Sequence, residues 1–269
     1  LSFQPVVRCG QNRYEVATIP QLQAQWSKRV MNEYVSAVLL GLVQGATEFL
    51  PVSSSGHLVL FQQWLPVTGD PVAFDLALHL GTLLPVVWVY RSDLIGVARD
   101  ATVGDGPFFK RPGVRLLLLL IAATVPTAMI GLSLEDLFER LFHNPTAVGV
   151  AFAITGTVLW ATGRIPQGKT EAHNIPVSRA VAIGLAQGLA ITPGISRSGS
   201  TIAAALFLGM EREAAARFSF LLSIPAIAGA FVLKVGDLVL DASHMGPILV
   251  GVISSAASGY LALIFLIRL

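Results

Sequence analysis

Ionisable and hydroxyl side chains interrupt a strongly apolar run at residues 41–60, GLVQGATEFLPVSSSGHLVL. Gln44 and Glu48 are four residues apart, so on a helix they lie on one face, one turn from each other. A carboxylate inside an apolar helix is costly unless it is paired or protonated. We therefore expect Glu48 to have a partner, with Arg197, His57 and a divalent cation as alternatives. A purely structural tie between two helices is the other interpretation.

A serine-rich segment follows Glu48 directly. Its polar and flexible members are Ser53, Ser54, Ser55, Gly56 and His57. Hydroxyls and free backbone N–H groups at the start of a helix form a cradle for an anion. His57 can act as base, acid or nucleophile near neutral pH, although a lone histidine often has a structural role. The segment therefore predicts anion binding beside a proton-transfer group.

A second stretch, residues 184–203, repeats the first at one constant offset. The matching pairs are Gly41 and Gly184, Gln44 and Gln187, Ser53 and Ser196, Ser55 and Ser198, and Gly56 and Gly199. Arg197 stands where the first stretch has Ser54. Its planar guanidinium, flanked by hydroxyls and glycine, is suited to phosphate oxygens, whereas snorkelling to the membrane surface is the alternative. The chain is an internal duplication with one polar loop in each half.

The composition indicates an all-α polytopic membrane protein. With 54% hydrophobic and 13% charged residues and a mean hydropathy of +0.69, the chain is too apolar for a water-soluble domain of 269 residues. The net charge of +2, without a lysine and arginine tract, argues against nucleic-acid binding. A single cysteine excludes an internal disulfide, and no clustered Cys and His pattern indicates zinc.

Apolar segments alternate with polar connections along the chain. The segments long enough to cross a bilayer are 72–90, 114–134, 146–162, 214–233 and 247–267. The connections are a solvated loop at 91–115, an amphipathic link at 135–144 and a loop at 237–244. Five basic residues in the first of these favour the cytoplasmic side. The broken stretches 34–65 and 180–208 are too short to cross twice and predict re-entrant hairpins.

Paired broken helices in corresponding positions predict an inverted-topology repeat with a site where the halves meet. We expect residues 1–30 to be a polar N-terminal extension outside the fold and 31–269 to form a single membrane domain. Within it, repeat 1 covers about 34–134, repeat 2 covers about 177–269, and 146–162 is an extra helix. Because the extra helix has no counterpart, about six transmembrane helices are expected, the last of them beyond Leu269.

These motifs resemble the undecaprenyl-diphosphate phosphatases, the bacitracin-resistance membrane phosphatases of bacteria. The resemblance runs from about Met31 to the end of the chain. The family pattern (E/Q)xxxE stands here as Gln44 and Glu48, followed by PVSSSGH. The pattern PGxSRSxxT stands here as Pro193, Gly194, Ser196, Arg197, Ser198 and Thr201.

The resemblance implies hydrolysis of a C55 polyprenyl diphosphate to the monophosphate, which recycles the lipid carrier for peptidoglycan and cell-wall synthesis. It implies an active site facing the outer side of the bacterial inner membrane and a divalent cation, Mg²⁺ or Ca²⁺. The catalytic residues implied are Glu48, Ser54, His57 and Arg197; the substrate-binding residues are Ser53, Ser55, Gly56, Ser196, Ser198, Gly199 and Thr201. Gln44 and Glu48 are the metal ligands implied, and the glutamine leaves one carboxylate instead of two. Ser54 activated by His57, His57 itself and a water activated by His57 are the alternatives for the nucleophile.

A transporter or flippase for an anionic lipid or a small anion is the alternative function, because inverted repeats and broken helices suit it equally well. The combination of histidine, glutamate, serine and arginine favours the enzyme, since a carrier needs no proton-transfer group. The partners expected are the prenyl diphosphate lipid, the bilayer and, in a homodimer, a second copy of the chain. Asp75 and His79 are interpreted mainly as polar residues that pack between helices.

Overall fold

The computed structural model describes residues 6–9, 13–16, 19–65, 67, 70–234 and 245–268, with side chains from residue 32 onwards. The loop predicted at 237–244 lies outside the described residues. Two short strands, β1 (Val6–Cys9) and β2 (Arg13–Val16), form an antiparallel hairpin ahead of the helices.

The rest of the described regular structure is helical. The first half contains α1 (Ile19–Glu48), α2 (Ser54–Phe61), α3 (Pro71–Val89), α4 (Arg91–Thr102), α5 (Pro112–Ser133), α6 (Glu135–Phe142) and α7 (Pro145–Thr162). The second half contains α8 (Val177–Leu189), α9 (Arg197–Phe207), α10 (Arg212–Lys234) and α11 (Met245–Arg268). Short 3₁₀ helices lie at Phe108–Lys110 and Ala172–Asn174.

Five of the described helices are long and apolar enough to cross a membrane: α3, α5, α7, α10 and α11. They confirm the prediction of an all-α polytopic membrane protein. α2 has 8 residues and α9 has 11, which gives lengths of about 12 and 17 Å. Both are far shorter than the roughly 30 Å of a bilayer core. The pairs α1–α2 and α8–α9 therefore have the form of the predicted re-entrant hairpins.

Two predicted boundaries differ from the structure. α1 begins at Ile19, not near residue 34, so a helix runs through part of the segment assigned to the N-terminal extension; whether that segment lies outside the membrane fold stays a prediction. The loop predicted at 91–115 was wrong over its first half, which is α4. Leu94 and Val97, three residues apart, pack against the core, while Arg91 and Arg99 of the same helix are exposed, so α4 lies on the surface as an amphipathic helix.

Ion pairs define the two ends of the helix bundle. At the end called here the α4 end, Arg217 near the start of α10 binds Asp93 on α4. At the opposite end, called the α6 end, Lys234 at the end of α10 binds Glu135 on α6. The helix α10 therefore runs from the α4 end to the α6 end, and α3 and α5 connect the same two levels.

The two halves pack on each other through equivalent close contacts. α1 lies against α11, and α8 lies against α5. A Cβ atom added to Gly41 would stand 2.4 Å from the carbonyl oxygen of Gly251, and one added to the matching Gly184 would stand 2.0 Å from that of Ala123. Only glycine permits these approaches, because such distances are well inside van der Waals contact. The duplication thus positions the broken end of each hairpin helix against the other half.

A large apolar cluster lies between the broken hairpins and the α4 end. Twenty buried residues from the described part of the chain form this core, among them Phe49, Tyr90 and Phe220. The Phe49 and Phe220 rings meet edge to face with centroids 5.6 Å apart, and Phe220 and Tyr90 are 6.2 Å apart. A smaller cluster contains Ala37, Leu40, Leu58, Phe74 and Leu78. The broken hairpins are therefore closed by packed side chains on the α4 side.

Candidate active site

Glu48, the last residue of α1, is the centre of the polar network. It is 6% exposed. Its Oε2 accepts hydrogen bonds from Gln44 Nε2, at 2.9 Å, and from the Ser54 hydroxyl. Its Oε1 accepts from the Arg197 guanidinium, which comes from the other half of the chain. Of the partners left open by the sequence, the structure brings Arg197 to Glu48.

The two broken loops lie against each other at this network. Ser198 Oγ lies 3.4 Å from the carbonyl oxygen of Leu50, which it can donate to. A Cβ added to Gly56 would stand 2.8 Å from the Gly194 Cα, so the backbones of the two loops nearly touch. The ends of α1 and the starts of α2 and α9 therefore meet, as the internal duplication predicts.

The starts of α2 and α9 are capped in the same way. Ser53 Oγ accepts a hydrogen bond from the Gly56 N–H at 3.4 Å, and the matching Ser196 Oγ accepts from the Gly199 N–H at 3.0 Å. Ser53 differs in having φ of +66°, the one positive φ outside glycine among the described residues. A non-glycine residue in this region is strained, and such strain clusters at functional sites. Both helices direct their N-terminal ends at the network.

Two further hydroxyls predicted to bind substrate have protein partners. Ser55 Oγ is 3.4 Å from Ser53 Oγ. Thr201 Oγ1 donates to the Arg197 carbonyl oxygen at 2.9 Å and is paired with the Ser219 hydroxyl on α10. Thr201 is fully buried. Its hydroxyl thus ties α9 to α10 and is turned away from the Glu48 network.

His57 lies in α2 and is oriented by the backbone. Its Nδ1 is 2.7 Å from the carbonyl oxygen of Ser53. Since a carbonyl only accepts, Nδ1 carries the hydrogen, which leaves Nε2 as the second nitrogen of the ring. The ring meets Phe152 of α7 edge to face, with centroids 5.0 Å apart. Ser53, and not Glu48, is the residue whose hydrogen bond fixes the imidazole.

His79 belongs to the network, although the sequence assigned it mainly to helix packing. Its Nε2 lies 3.6 Å from Glu48 Oε2, and its Nδ1 is 2.7 Å from the Asp75 carbonyl oxygen. The Asp75 carboxylate accepts from Gln62 Nε2 at 2.6 Å. Asp75 and His79 are spaced like Gln44 and Glu48, one turn apart in an apolar helix, and this repeated spacing is the signal that could have identified His79.

Phe152 and Thr155 of α7 were missed altogether. Thr155 Oγ1 donates to the Gly194 carbonyl oxygen at 2.9 Å and accepts from the Ser196 N–H at 3.1 Å. In the sequence, both residues belong to an ordinary apolar helix, since a threonine and a phenylalanine are common in transmembrane segments. Nothing in their spacing distinguishes them.

The side chains around Glu48 do not form a resident site for a divalent cation. Mg²⁺ and Ca²⁺ take six or more oxygen ligands and favour carboxylates. Glu48 is the single carboxylate of the network, both of its oxygens already accept hydrogen bonds, and Arg197 neutralises its charge. Among the described residues, no group of three or more His, Cys, Asp or Glu could hold a metal ion. The buried Oε1 of Gln44 has no hydrogen-bond partner among the described residues, so it is an oxygen that could bind a cation.

Comparison with known proteins gives consistent matches. The family model described as bacitracin resistance protein BacA matches residues 37–269. An undecaprenyl-diphosphatase of Carboxydothermus hydrogenoformans is 45% identical over 244 residues, covering 89% of each chain. One from Alkaliphilus metalliredigens is 44% identical over 86% of this chain and 88% of its own. One from Methanobrevibacter smithii is 40% identical over 88% and 89%, respectively.

Proposed function

Because the chain belongs to the bacitracin resistance protein BacA family, we propose that it hydrolyses undecaprenyl diphosphate to undecaprenyl phosphate and inorganic phosphate. The product is the lipid carrier used again in cell-wall synthesis. The observation that carries the proposal is the meeting of Glu48, Ser54 and Arg197 at the N-terminal ends of α2 and α9. The similar proteins named undecaprenyl-diphosphatase support it.

The terminal phosphate binds between Arg197 and the two helix starts. The first-turn N–H groups of a helix have no intrahelical partners and favour an anion, so α2 and α9 both attract phosphoryl oxygens. Arg197 donates one of its five N–H groups to Glu48. The side chain is 19% exposed, so its other N–H groups can bind the phosphate. Fixed donors of this kind stabilise the charge on the equatorial oxygens in the transition state.

Ser54 is the nucleophile that the hydrogen bonds favour. Its hydroxyl donates to Glu48, so the carboxylate is in position to take the proton as Ser54 Oγ attacks the terminal phosphorus. The bond from this phosphorus to the bridging oxygen breaks, and undecaprenyl phosphate leaves. Water then attacks the phosphoserine, which releases inorganic phosphate and returns the proton to Ser54.

His57 serves the second half of this sequence. Since its Nδ1 hydrogen is committed to the Ser53 carbonyl, a neutral imidazole offers the Nε2 lone pair to water. Direct attack by a water activated at His57 is the competing route. A rapid-quench reaction with terminally labelled diphosphate separates the two, because label retained on the wild-type protein but not on Ser54→Ala requires the phosphoserine.

Mg²⁺ or Ca²⁺, the divalent cation expected from the family resemblance, would be held here mainly by the substrate. One shared carboxylate cannot hold such a cation, whereas the diphosphate brings several anionic oxygens of its own. Among the described side chains, Gln44 would offer the cation its unpaired Oε1. When bound, the cation would neutralise charge on the phosphoryl oxygens.

The α4 end faces the cytoplasm, and the site opens towards the outer side. Basic residues gather at the α4 end, where they include Arg91, Arg99, Lys110, Arg111, Arg115, Arg164, Arg179 and Arg217. Such an excess marks cytoplasmic segments. Trp88 with Arg91 and Trp160 with Arg164 form cation–π pairs at the same level, as expected at a membrane surface. The apolar cluster closes the α4 side, so substrate arrives from the opposite one.

A homodimer stays a prediction.

Release of inorganic phosphate from undecaprenyl diphosphate by the purified protein in detergent tests the function. We expect turnover by the wild type and none by Ser54→Ala. A wild-type protein that binds the lipid without releasing phosphate would contradict the proposal and favour a carrier. The hydrogen bond from Ser54 to Glu48 favours the enzyme, because binding alone needs no proton acceptor beside a hydroxyl.

A further inference from the structure

We propose that α7, the helix without a counterpart in the second half, positions the reacting groups of both hairpins. Thr155 holds the turn that leads into Arg197, and Phe152 holds the ring of His57. Both act through another residue and are positioning residues. The inference rests on the proposed phosphatase function and adds to it the residues that set the geometry of the site.

Thr155 binds two backbone groups of the second loop. Its hydroxyl donates to the Gly194 carbonyl oxygen, at 2.9 Å, and accepts from the Ser196 N–H, at 3.1 Å. Gly194 has φ of +92°, and Ser196 caps the helix whose first residue is Arg197. Within the turn, the Ile195 N–H donates to the Thr192 carbonyl oxygen at 3.0 Å, and the buried Thr155 hydroxyl, as both donor and acceptor, fixes the two residues on either side of Ile195. The direction of Arg197 depends on the path of this turn.

Phe152 touches the other reacting group. It is three residues before Thr155 and therefore on the same side of α7. Its ring meets the imidazole of His57 edge to face at 5.0 Å and an angle of 63°. A Cβ on Gly56 would stand 2.7 Å from the Phe152 Cζ, so the ring also lies directly on the first loop. The Ser53 carbonyl and the Phe152 ring together fix the plane of the imidazole and the direction of Nε2.

The exposure of α7 shows that this helix contacts the two loops more than it packs in the apolar core. Its buried residues are Val148, Ala151 and Thr155, which form one narrow stripe. Only 17% of this membrane-spanning helix is buried. A Cβ added to Gly194 would stand 2.6 Å from the Val148 carbonyl oxygen and 2.8 Å from the Ala151 Cβ. The stripe thus rests on the second loop itself. α7 contributes little to the apolar core, and its inward contacts are concentrated on the two loops that carry the chemistry.

The test separates the hydroxyl of Thr155 from the shape of its side chain. Thr155→Val keeps the shape and loses both hydrogen bonds, whereas Thr155→Ser keeps the hydroxyl. Because small misplacement of a catalytic group can cost about a hundredfold in rate, we expect Thr155→Val to lower kcat at least about tenfold with little change in KM. Thr155→Ser should restore most of kcat. Phe152→Leu should likewise lower kcat, and Ile154→Ala, on the exposed side of α7, should change neither constant.

Steady-state phosphate release and the thermal unfolding midpoint in detergent are measured for every variant. Near-normal kcat in Thr155→Val, an equal loss in Thr155→Ser, or a change confined to KM would overturn the role of Thr155. If Thr155→Val fails to fold, the comparison of kcat between Phe152→Leu and Ile154→Ala tests the proposal. Equal kcat values in these two variants would overturn it. A wild-type protein without phosphatase activity refutes the proposed function, whereas an active wild type with unaffected variants refutes the positioning role alone.

Discussion

Glu48→Gln removes the charge from the centre of the site while keeping the size of the side chain. Glu48 accepts from Arg197, Ser54 and Gln44, and its side chain is 4% exposed. A glutamine has one acceptor oxygen, and its NH₂ group faces a donor whichever way it is turned. A buried charge left without its partner costs about 3 to 5 kcal/mol. Because Arg197 stays 19% exposed, we expect the free energy of unfolding to fall by about 3 kcal/mol, the lower bound.

Glu48→Gln should also lower turnover, since Ser54 loses the group that accepts its proton. Removing a general base typically lowers the rate by a factor of about 10² to 10⁴. Phosphate release at saturating undecaprenyl diphosphate measures this loss, and the thermal unfolding midpoint measures the stability. Glu139→Gln is the control, because it makes the same chemical change on α6 where the side chain is 62% exposed. Wild-type turnover by folded Glu48→Gln would refute the base assignment, and an unchanged midpoint would refute the buried pair.

Three further changes probe the same site. Arg197→Lys keeps the charge but loses the planar fork, so turnover at saturating substrate should fall on the order of a hundred- to a thousandfold, about 3 to 4 kcal/mol; a raised KM alone would exclude the catalytic role. Cysteines at Ser55 and Ser198, in a protein lacking Cys9, should be joined by short crosslinkers, and failure in folded protein would refute the contact between loops. His79→Ala should lower kcat by about fivefold, the value of roughly 1 kcal/mol for one charged contact, and wild-type kcat would remove His79 from the network.

The broken hairpins could be predicted because their signals are local. An apolar segment that stops at proline, serine and glycine after barely two turns has few alternatives in a bilayer. The repeat of this pattern at 184–203 then predicts that the loops meet, and the Glu48 to Arg197 contact agrees. Charge pairing follows from composition in the same way, because a carboxylate and a guanidinium at equivalent depths of two repeats each need a partner.

The contributions of α3 and α7 could not be predicted with the same certainty. His79 reaches Glu48 only because α3 packs beside α1 in a particular rotation, and helix rotation is set by tertiary contacts that one sequence does not specify. The role of Thr155 was harder to predict, since its hydrogen-bond partners are backbone atoms of a turn about forty residues later in the sequence. The start of α1 at Ile19 has another cause: the segment before the apolar part is rich in glutamine, lysine and arginine, which are good helix formers, so the helix extends beyond its apolar part.

The two duplicated stretches make equivalent close contacts with the opposite halves of the chain, but the residues where they meet are unlike. Glu48 corresponds to Ile191, Ser54 to Arg197 and His57 to Ser200. In the proposed mechanism, one half supplies proton transfer and the attacking hydroxyl, and the other supplies the guanidinium that binds the phosphate. The substrate has two phosphorus atoms, one esterified to the prenyl chain and one terminal, and a cradle with two equal halves would not distinguish the ends of the bridge between them. The unlike halves give the cradle a polarity, which determines the phosphorus that is attacked and the side on which the prenyl chain must lie.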